Sequence, residues 1–405
     1  VRSITVAATL AAGIFGVTFF AGRRGVESVE VSAATTHGDR VALESHARSG
    51  RAAAATTWDA KAAAEYLDQR MTWWRGWDRA KRDQGTFCVS CHTVLPYTLA
   101  RPALRKLDGE QAVGEDERLI LDNVVKRVRL WKELAPVYSD EKYGKNKGVE
   151  SRGTESVLLA FVMANRDAQS GKLSADGRAA LEHLWEQQQK DGERKGAWLW
   201  QMFGLNPWEG DISPYYGAAL AALAVGTTPD NYRATPEIQN NIKMLGEYLD
   251  REYPAQPLLN RMMLLWAAAK MPGLVKPDRQ KAIADEILNT QQEDGGWNLF
   301  RLAMPMTDVD VMTLLGRFKR LDGSLQDTNS DGLATGFTVY VLEQSGVARE
   351  SDAVKRGRAW LEKNQNKTDG SWMTYSINKK RELSSDAGRF MSDAATAYAV
   401  LALAN

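Results

Sequence analysis

The chain of 405 residues has only two cysteines, Cys88 and Cys91, and four histidines. A secreted disulfide scaffold needs more cysteines at wider spacings, so that class is excluded. A zinc site on this pair needs further Cys or His ligands nearby, and beyond His92 the sequence supplies none. An excess of charge is also missing. The 52 Lys and Arg stand against 51 Asp and Glu, so the balance does not point to nucleic acid. Strand-like alternation is almost absent after residue 57, which excludes a sheet protein and removes the βαβ setting that a thioredoxin-like Cys-x-x-Cys needs.

What is present is helix. Two kinds alternate along residues 57–405. One kind is charged on one face and runs roughly over 59–82, 116–135, 175–190, 235–251, 276–292 and 350–366. Each has apolar residues at three-to-four spacing, such as Ile242, Leu245, Tyr248 and Leu249, which predicts one buried and one wet face. The other kind is rich in Ala, Leu and Gly and runs roughly over 94–107, 154–167, 214–226, 258–271, 332–346 and 391–404. These are apolar nearly all round and should be buried on most sides. The expectation is all-α: six helical hairpins. Repeats of this sort hide their ends or close on themselves. Closure gives an α/α toroid with an inner and an outer ring, and an open solenoid is the alternative.

The turns repeat too. QQEDGGW (291–297), QNKTDGSW (365–372) and QQQKDGERKGAW (187–198) follow charged helices, and the divergent RDQGTF (82–87) stands at the matching place in the first pair. Asp-Gly suits a tight turn with positive φ, Gln can bond neighbouring backbone, and Trp can pack on the next repeat. Gly357-x-x-Trp360-Leu361, followed by Gln365 and Gly370-x-Trp372, resembles the QW repeat of squalene–hopene cyclases and related terpenoid cyclases. Gln291 to Trp297 keeps the family spacing, and Gln365 to Trp372 is one residue longer. The resemblance covers most of residues 57–405 and implies an α6/α6 toroid with a cavity lined by inner helices. The whole chain looks like a bacterial group of cyclase-repeat cytochromes.

The cytochrome part of that resemblance rests on Phe87-Cys88-Val89-Ser90-Cys91-His92-Thr93. In Cys-x-x-Cys-His, two thiols reach the two vinyl groups of one porphyrin edge and the adjacent imidazole lies under the iron. The expectation is one covalent haem c on Cys88 and Cys91, with His92 as the iron ligand. The motif replaces the turn of the first hairpin, and a small cytochrome domain over 57–150 is the alternative. Trp73, Trp74, Trp77 and Tyr97 are candidates to pack on the porphyrin, with ordinary core packing an equal reading. The sixth ligand stays open. His37 and His46 precede the helices, and His183 reads as a packing residue. Met163, Met202, Met262, Met263 and Met391 are thioether candidates, each with a core role as its plainer reading.

Two further motifs are weaker. Class II terpenoid cyclases protonate substrate with an Asp-x-Asp-Asp motif. Here Asp308 and Asp310 are followed by Val311 at the last acidic place, so cyclase chemistry lacks a partner for its acid. Asp327-x-Asn329-x-Asp331-Gly332 resembles the first half of a calcium loop, but Thr338 stands where the closing Glu belongs, so helix capping by Asp331 is expected. The Asp, Cys and His zinc set of prenyltransferase relatives is not supported, both cysteines being assigned to haem.

Ile4 to Gly22 is an apolar run of about the 20 residues needed to span a bilayer. Residues 1–25 are expected to be a signal anchor, or else a cleaved signal peptide. The nearest small-x-small site, Val31-Ser32-Ala33, lies well beyond the run. Arg23-Arg24 alone favours the reverse topology, but attachment of c-type haem requires export, which sets the expectation at the periplasmic side of the bacterial inner membrane. Residues 26–56 read as a flexible tether. Val1 in place of Met is what a GTG start codon translated literally gives, so a native N-terminus is expected. Three functions remain in view, beside a structural role as an interaction scaffold in a membrane redox complex. The first is an electron-transfer cytochrome with a redox partner protein. The second is a haem peroxidase or oxygenase acting on a hydrophobic, isoprenoid-like molecule in the cavity. The third is a degenerate terpenoid cyclase.

Overall fold

A computed structural model describes residues 58–139, 144–304 and 319–404. The expected anchor and tether, and the pair Asp308 and Asp310, lie outside the described residues. Thirteen α-helices follow in order among the described residues: α1 (Ala60–Gly76), α2 (Val94–Asp108), α3 (Glu115–Arg129), α4 (Gly144–Ser170), α5 (Ala175–Gln187), α6 (Ser213–Thr227), α7 (Gln239–Glu252), α8 (Leu258–Lys270), α9 (Pro277–Asn289), α10 (Leu299–Ala303), α11 (Gly332–Gln344), α12 (Asp352–Asn364) and α13 (Arg389–Ala404). All twelve expected helices are present, and the short α10 is an addition. The protein is all-α: among the described residues β-pairing is limited to isolated bridges, and no helix is long and apolar enough to cross a membrane.

The two kinds of helix bury themselves as their compositions require. In α7, Met244, Leu245, Tyr248 and Leu249 are buried while the other face is wet. In α6 every residue from Ser213 to Val225 is buried, and in α13 every residue from Met391 to Leu403. The apolar helices pack on one another in a definite order. α2 contacts α4, α4 contacts α6, α6 contacts α8, α8 contacts α11, α11 contacts α13, and α13 contacts α2. Residues 55–405 form one compact unit. Inside it, aromatic rings bridge the apolar helices. Trp266 of α8 lies 6.2 Å from Phe161 of α4, 6.4 Å from Phe337 and 5.1 Å from Tyr340 of α11, while Phe337 lies 4.9 Å from Tyr398 of α13.

The glutamine–tryptophan turns are joints between successive charged helices. Gln291 Nε2 donates to Gly295 O in its own turn and to Ala353 O beside the start of α12, both at 2.8 Å. Gln188 Nε2 does the same with Gly196 O and Asn241 O of α7, both at 3.0 Å. Gln365 Nε2 donates to Gly370 O at 3.0 Å and to Asp59 O, the N-cap of α1, at 2.8 Å, and Asp59 N–H returns a bond to Gln365 Oε1 at 2.7 Å. The indole N–H of each turn donates back to its preceding helix: Trp198 to Leu184 O, Trp297 to Ile287 O and Trp372 to Leu361 O. Gly370 shows why glycine is needed. Its φ is +76°, and a Cβ there would stand 2.3 Å from the carbonyl carbon of Ala62. Gly357 leaves room for the Trp297 ring, and Trp360 Nε1 donates to Asp294 Oδ2 of the previous turn at 2.9 Å.

Gln365 is buried, and truncating it strands three backbone groups. Gln365→Ala is expected to destabilise the chain by about 1–3 kcal/mol, whereas Lys367→Ala, exposed in the same turn, should stay within about 0.5 kcal/mol. Urea unfolding midpoints compare the two.

Candidate haem site

The segment between α1 and α2 carries the cysteines, and its backbone is fixed at each step. Gln84 (φ 53°) and Gly85 (φ 70°) make the reversal. The Asn123 side chain of α3 clamps Phe87, accepting from its N–H at 2.8 Å and donating to its carbonyl at 3.1 Å. Cys88 N–H donates to Ala80 O, and Trp74 Nε1 donates to Cys88 O, both at 2.8 Å. Ser90 braces the turn that leads into α2. Its hydroxyl oxygen accepts from Thr93 N–H at 3.3 Å and Val94 N–H at 3.1 Å, the task of a helix-capping side chain. A serine between the two cysteines therefore braces the turn before the helix that carries the next residues inward.

Cys88, Cys91 and His92 line one cavity of about 60 Å3, which opens to solvent. Its other walls are Trp74 of α1, Val137 and Tyr138 after α3, Ser151, Thr154, Glu155 and Leu158 of α4, and Trp200, Gln201, Trp208 and Glu209 between α5 and α6. Both cysteines are free thiols. Burial pushes the Cys88 thiol up to about 11 and Cys91 well above its ordinary value. The His92 imidazole is pushed down to about 3, first by burial and then by the Arg70 guanidinium, so it is neutral, the form in which imidazole ligates metals. Phe390 of α13 stacks on the His92 ring, centroids 4.3 Å apart, and Trp74 meets it edge-on at 5.3 Å.

Behind His92 lies a buried polar cluster. His92 Nδ1 is 2.8 Å from Thr93 Oγ1, and Thr93 Oγ1 donates to Asp393 Oδ2 at 2.7 Å. Asp393 Oδ1 accepts from Arg70 Nε at 2.7 Å and from the Tyr66 hydroxyl at 3.0 Å, and Oδ2 also accepts from Arg70 Nη2 at 3.2 Å. Arg70 reaches on to Asp386 Oδ1 at 3.0 Å and its carbonyl at 3.1 Å. Burial raises the Asp393 carboxyl and Arg70 pulls against it. Facing donors on both oxygens, the group is a carboxylate.

Does this lining suit a haem? The thiols and imidazole of the attachment motif stand at the wall of one cavity with indole rings beside them. One buried donor in that wall, Gln201 Nε2, has no hydrogen-bond partner, which an occupant with acceptor oxygens satisfies. Among the described residues no three His, Cys, Asp or Glu side chains cluster as a metal-ion site. The two thiols and the imidazole are the donor set that the attachment motif calls for.

The other sequence expectations divide. Trp74 lines the cavity, but Trp73 and Trp77 stack on each other at 5.1 Å beside Phe390. Tyr97 turns away, its hydroxyl donating to Asp68 Oδ1 at 2.6 Å, because it is drawn into the Arg101–Asp68 ion pair. Met163, Met262 and Met263 are fully buried core, and neither they nor Met202 and Met391 line the cavity. His183 stacks flat on Trp131 at 4.7 Å and meets Val128 O at 3.1 Å, the packing role expected of it. Asp331 caps α11, accepting from Ala334 N–H at 2.9 Å, and also accepts from Leu299 N–H and the Thr374 hydroxyl. The carbonyls of Asp327 and Asn329 accept from Asn298. That loop is a cap.

Sequence reasoning missed Glu209, Gln201, Trp208 and Asp393. Asp393 had a signal: it is a lone acid in a helix apolar on every side, and such a charge needs a partner. Glu209 had none. It is positioned by the loop pairing of Leu205 with Glu209 and by Asn378, which bonds both backbone groups of Asn206. Compared with models of known protein families, and with curated proteins, the chain matches none.

Burial pushes the Glu209 carboxyl up from 4.5 to about 7, with Lys147 opposing. An acid whose pKa is higher folded than unfolded stabilises least once ionised, so stability is lost as pH rises from about 4.5 through 7. In the haem-free chain, Glu209→Gln should match the parent near pH 4 and exceed it by roughly 3 kcal/mol at pH 8, at about 1.4 kcal/mol per pKa unit. Urea unfolding at the two pH values measures the crossover.

Proposed function

We propose that the chain is a monohaem c-type cytochrome, tethered at the periplasmic side of the bacterial inner membrane, whose haem is held by an α/α toroid of terpenoid-cyclase type and transfers electrons to a partner protein. The observation that carries the haem is the single cavity wall shared by Cys88, Cys91 and His92, with His92 Nδ1 occupied by Thr93. The toroid reading is supported by the order of neighbours among the apolar helices, in which α13 meets α2, and by Gln365, which joins the last glutamine–tryptophan turn to the N-cap of α1. Resemblance to squalene–hopene cyclases is supported by the way each Gln, Gly and Trp of the repeat is used. The exported location follows from the attachment chemistry and the apolar run Ile4 to Gly22.

A haem bound here supplies one-electron chemistry at iron. The protein's own residues do the rest. Cys88 and Cys91 offer thiols for two thioether links. His92 offers a neutral ring nitrogen, held by Thr93 on one side and Phe390 on its face. Trp74, Trp200 and Trp208 give the wall its aromatic surface, and Trp200 Nε1 fixes the Trp208 carbonyl at 2.7 Å. Electron transfer is favoured over a large apolar substrate by the rings of Phe161, Trp266, Phe337, Tyr340 and Tyr398, which occupy space between the apolar helices that a polyprenoid chain would need. The same filling weighs against a degenerate cyclase.

The second reading, a haem peroxidase or oxygenase, draws on one observation. Among the described residues the cavity wall has no thioether and no second imidazole, while it has Glu209, whose carboxyl titrates near neutrality and suits proton transfer.

Expression with c-type haem machinery separates these outcomes. The expected product has a pyridine adduct spectrum of thioether haem and a mass increased by one haem, both lost in Cys88→Ala/Cys91→Ala. A parent chain without haem overturns the reading. Carbon monoxide that leaves the reduced spectrum unchanged supports a six-coordinate electron carrier. Ready binding moves the assignment to the enzyme.

A further inference from the structure

We propose that Asp393, acting through the Thr93 hydroxyl, is a positioning residue that fixes the His92 imidazole in its Nδ1–H tautomer and makes it a more electron-donating ligand. The first half stands on geometry alone, and the second rests on the haem assignment above. A carboxylate has no proton to give. Thr93 Oγ1 lies 2.7 Å from Asp393 Oδ2, so the threonine proton is directed there. The same oxygen lies 2.8 Å from His92 Nδ1 and has only lone pairs left for it. Nδ1 therefore carries the imidazole proton, and Nε2 keeps its lone pair, free of any hydrogen-bond partner among the described residues. The tautomer follows from the network of donors and acceptors.

The anion at the end of the relay is held firmly. Asp393 and Arg70 are both nearly fully buried, at 1% and 4% side-chain exposure, and Arg70 grips both carboxylate oxygens. Trp73 lies against the guanidinium at 4.3 Å. Tyr66 supplies a further donor. Asp393 cannot rotate away from Thr93 without breaking these contacts. Hydrogen bonding of a metal-bound histidine toward a carboxylate increases the basicity of the ring and fixes its orientation. A more basic ligand stabilises ferric over ferrous iron, so the relay lowers the reduction potential.

Thr93→Val removes the hydroxyl at nearly constant volume and leaves the Arg70–Asp393 pair intact, and Thr93→Ser restores the hydroxyl. Two readouts are taken on the full chain. In haem-loaded protein, Thr93→Val is expected to shift the reduction potential upward, with Thr93→Ser returning it to the parent value. In haem-free protein, long-range proton–nitrogen spectra are expected to show His92 as Nδ1–H in the parent and in Thr93→Ser, and as Nε2–H in Thr93→Val. The same tautomer in all three, or an unchanged potential in Thr93→Val, overturns the proposal. If the parent never acquires haem, the cofactor assignment fails, and the tautomer measurement alone decides the relay.

Discussion

A carboxylate with about 1% of its side chain exposed has to be surrounded by donors, and meeting that requirement for Asp393 organises one end of this protein. Its four donors come from α1 (Tyr66, Arg70) and from the residue before α2 (Thr93), while the acid itself stands on α13. Three elements from opposite ends of the chain are thus held by one functional group. An ion pair this deep adds little net stability over an apolar equivalent. What it adds is position. The motif loop, the first helix and the last helix all meet at this carboxylate, and His92 joins them through Thr93.

The remaining joints are uncharged and repeated. Each uses an amide side chain to satisfy two carbonyls at once, an indole N–H to satisfy a carbonyl of the preceding helix, and a glycine to let two backbones approach. Threonines of the apolar helices complete the pattern: Thr154, Thr335 and Thr396 accept from the N–H groups of Gln201, Trp297 and Trp372. The first hairpin departs from it. There Asn123 takes over from the glutamine, clamping Phe87 from a neighbouring helix. The segment that carries the cysteines is thereby freed from the repeat's own geometry and held by other means.

Much of this was legible in the sequence because it is periodic. Six charged and six apolar stretches were placed within a few residues, α4 alone beginning some ten residues earlier than its apolar core. Capping by Asp331 and packing by His183 were also readable, since local side-chain chemistry decides both. The cavity wall was not. Glu209 and Gln201 reach it from a loop whose course is set by contacts with Asn378 and Thr154, far away in sequence. For Tyr97 the core-packing reading holds: its neighbour Arg101 holds Asp68, and the phenol follows the charge. Asp393 stood in plain view as an acid in an apolar helix, but its partner could not be named from spacing.

Thr93 and Asp393 are 300 positions apart, and Asp59 and Gln365 are 306 apart. Contacts of such separation form late, because a long loop must close before they contribute. A chain made from its N-terminus presents Cys88, Cys91 and His92 well before Asp393 exists. Thioether formation requires only the short motif, whereas the proper setting of its imidazole requires the final helix. In the proposed cytochrome, attachment would draw on residues contiguous in sequence, whereas the setting of the imidazole would draw on the last helix.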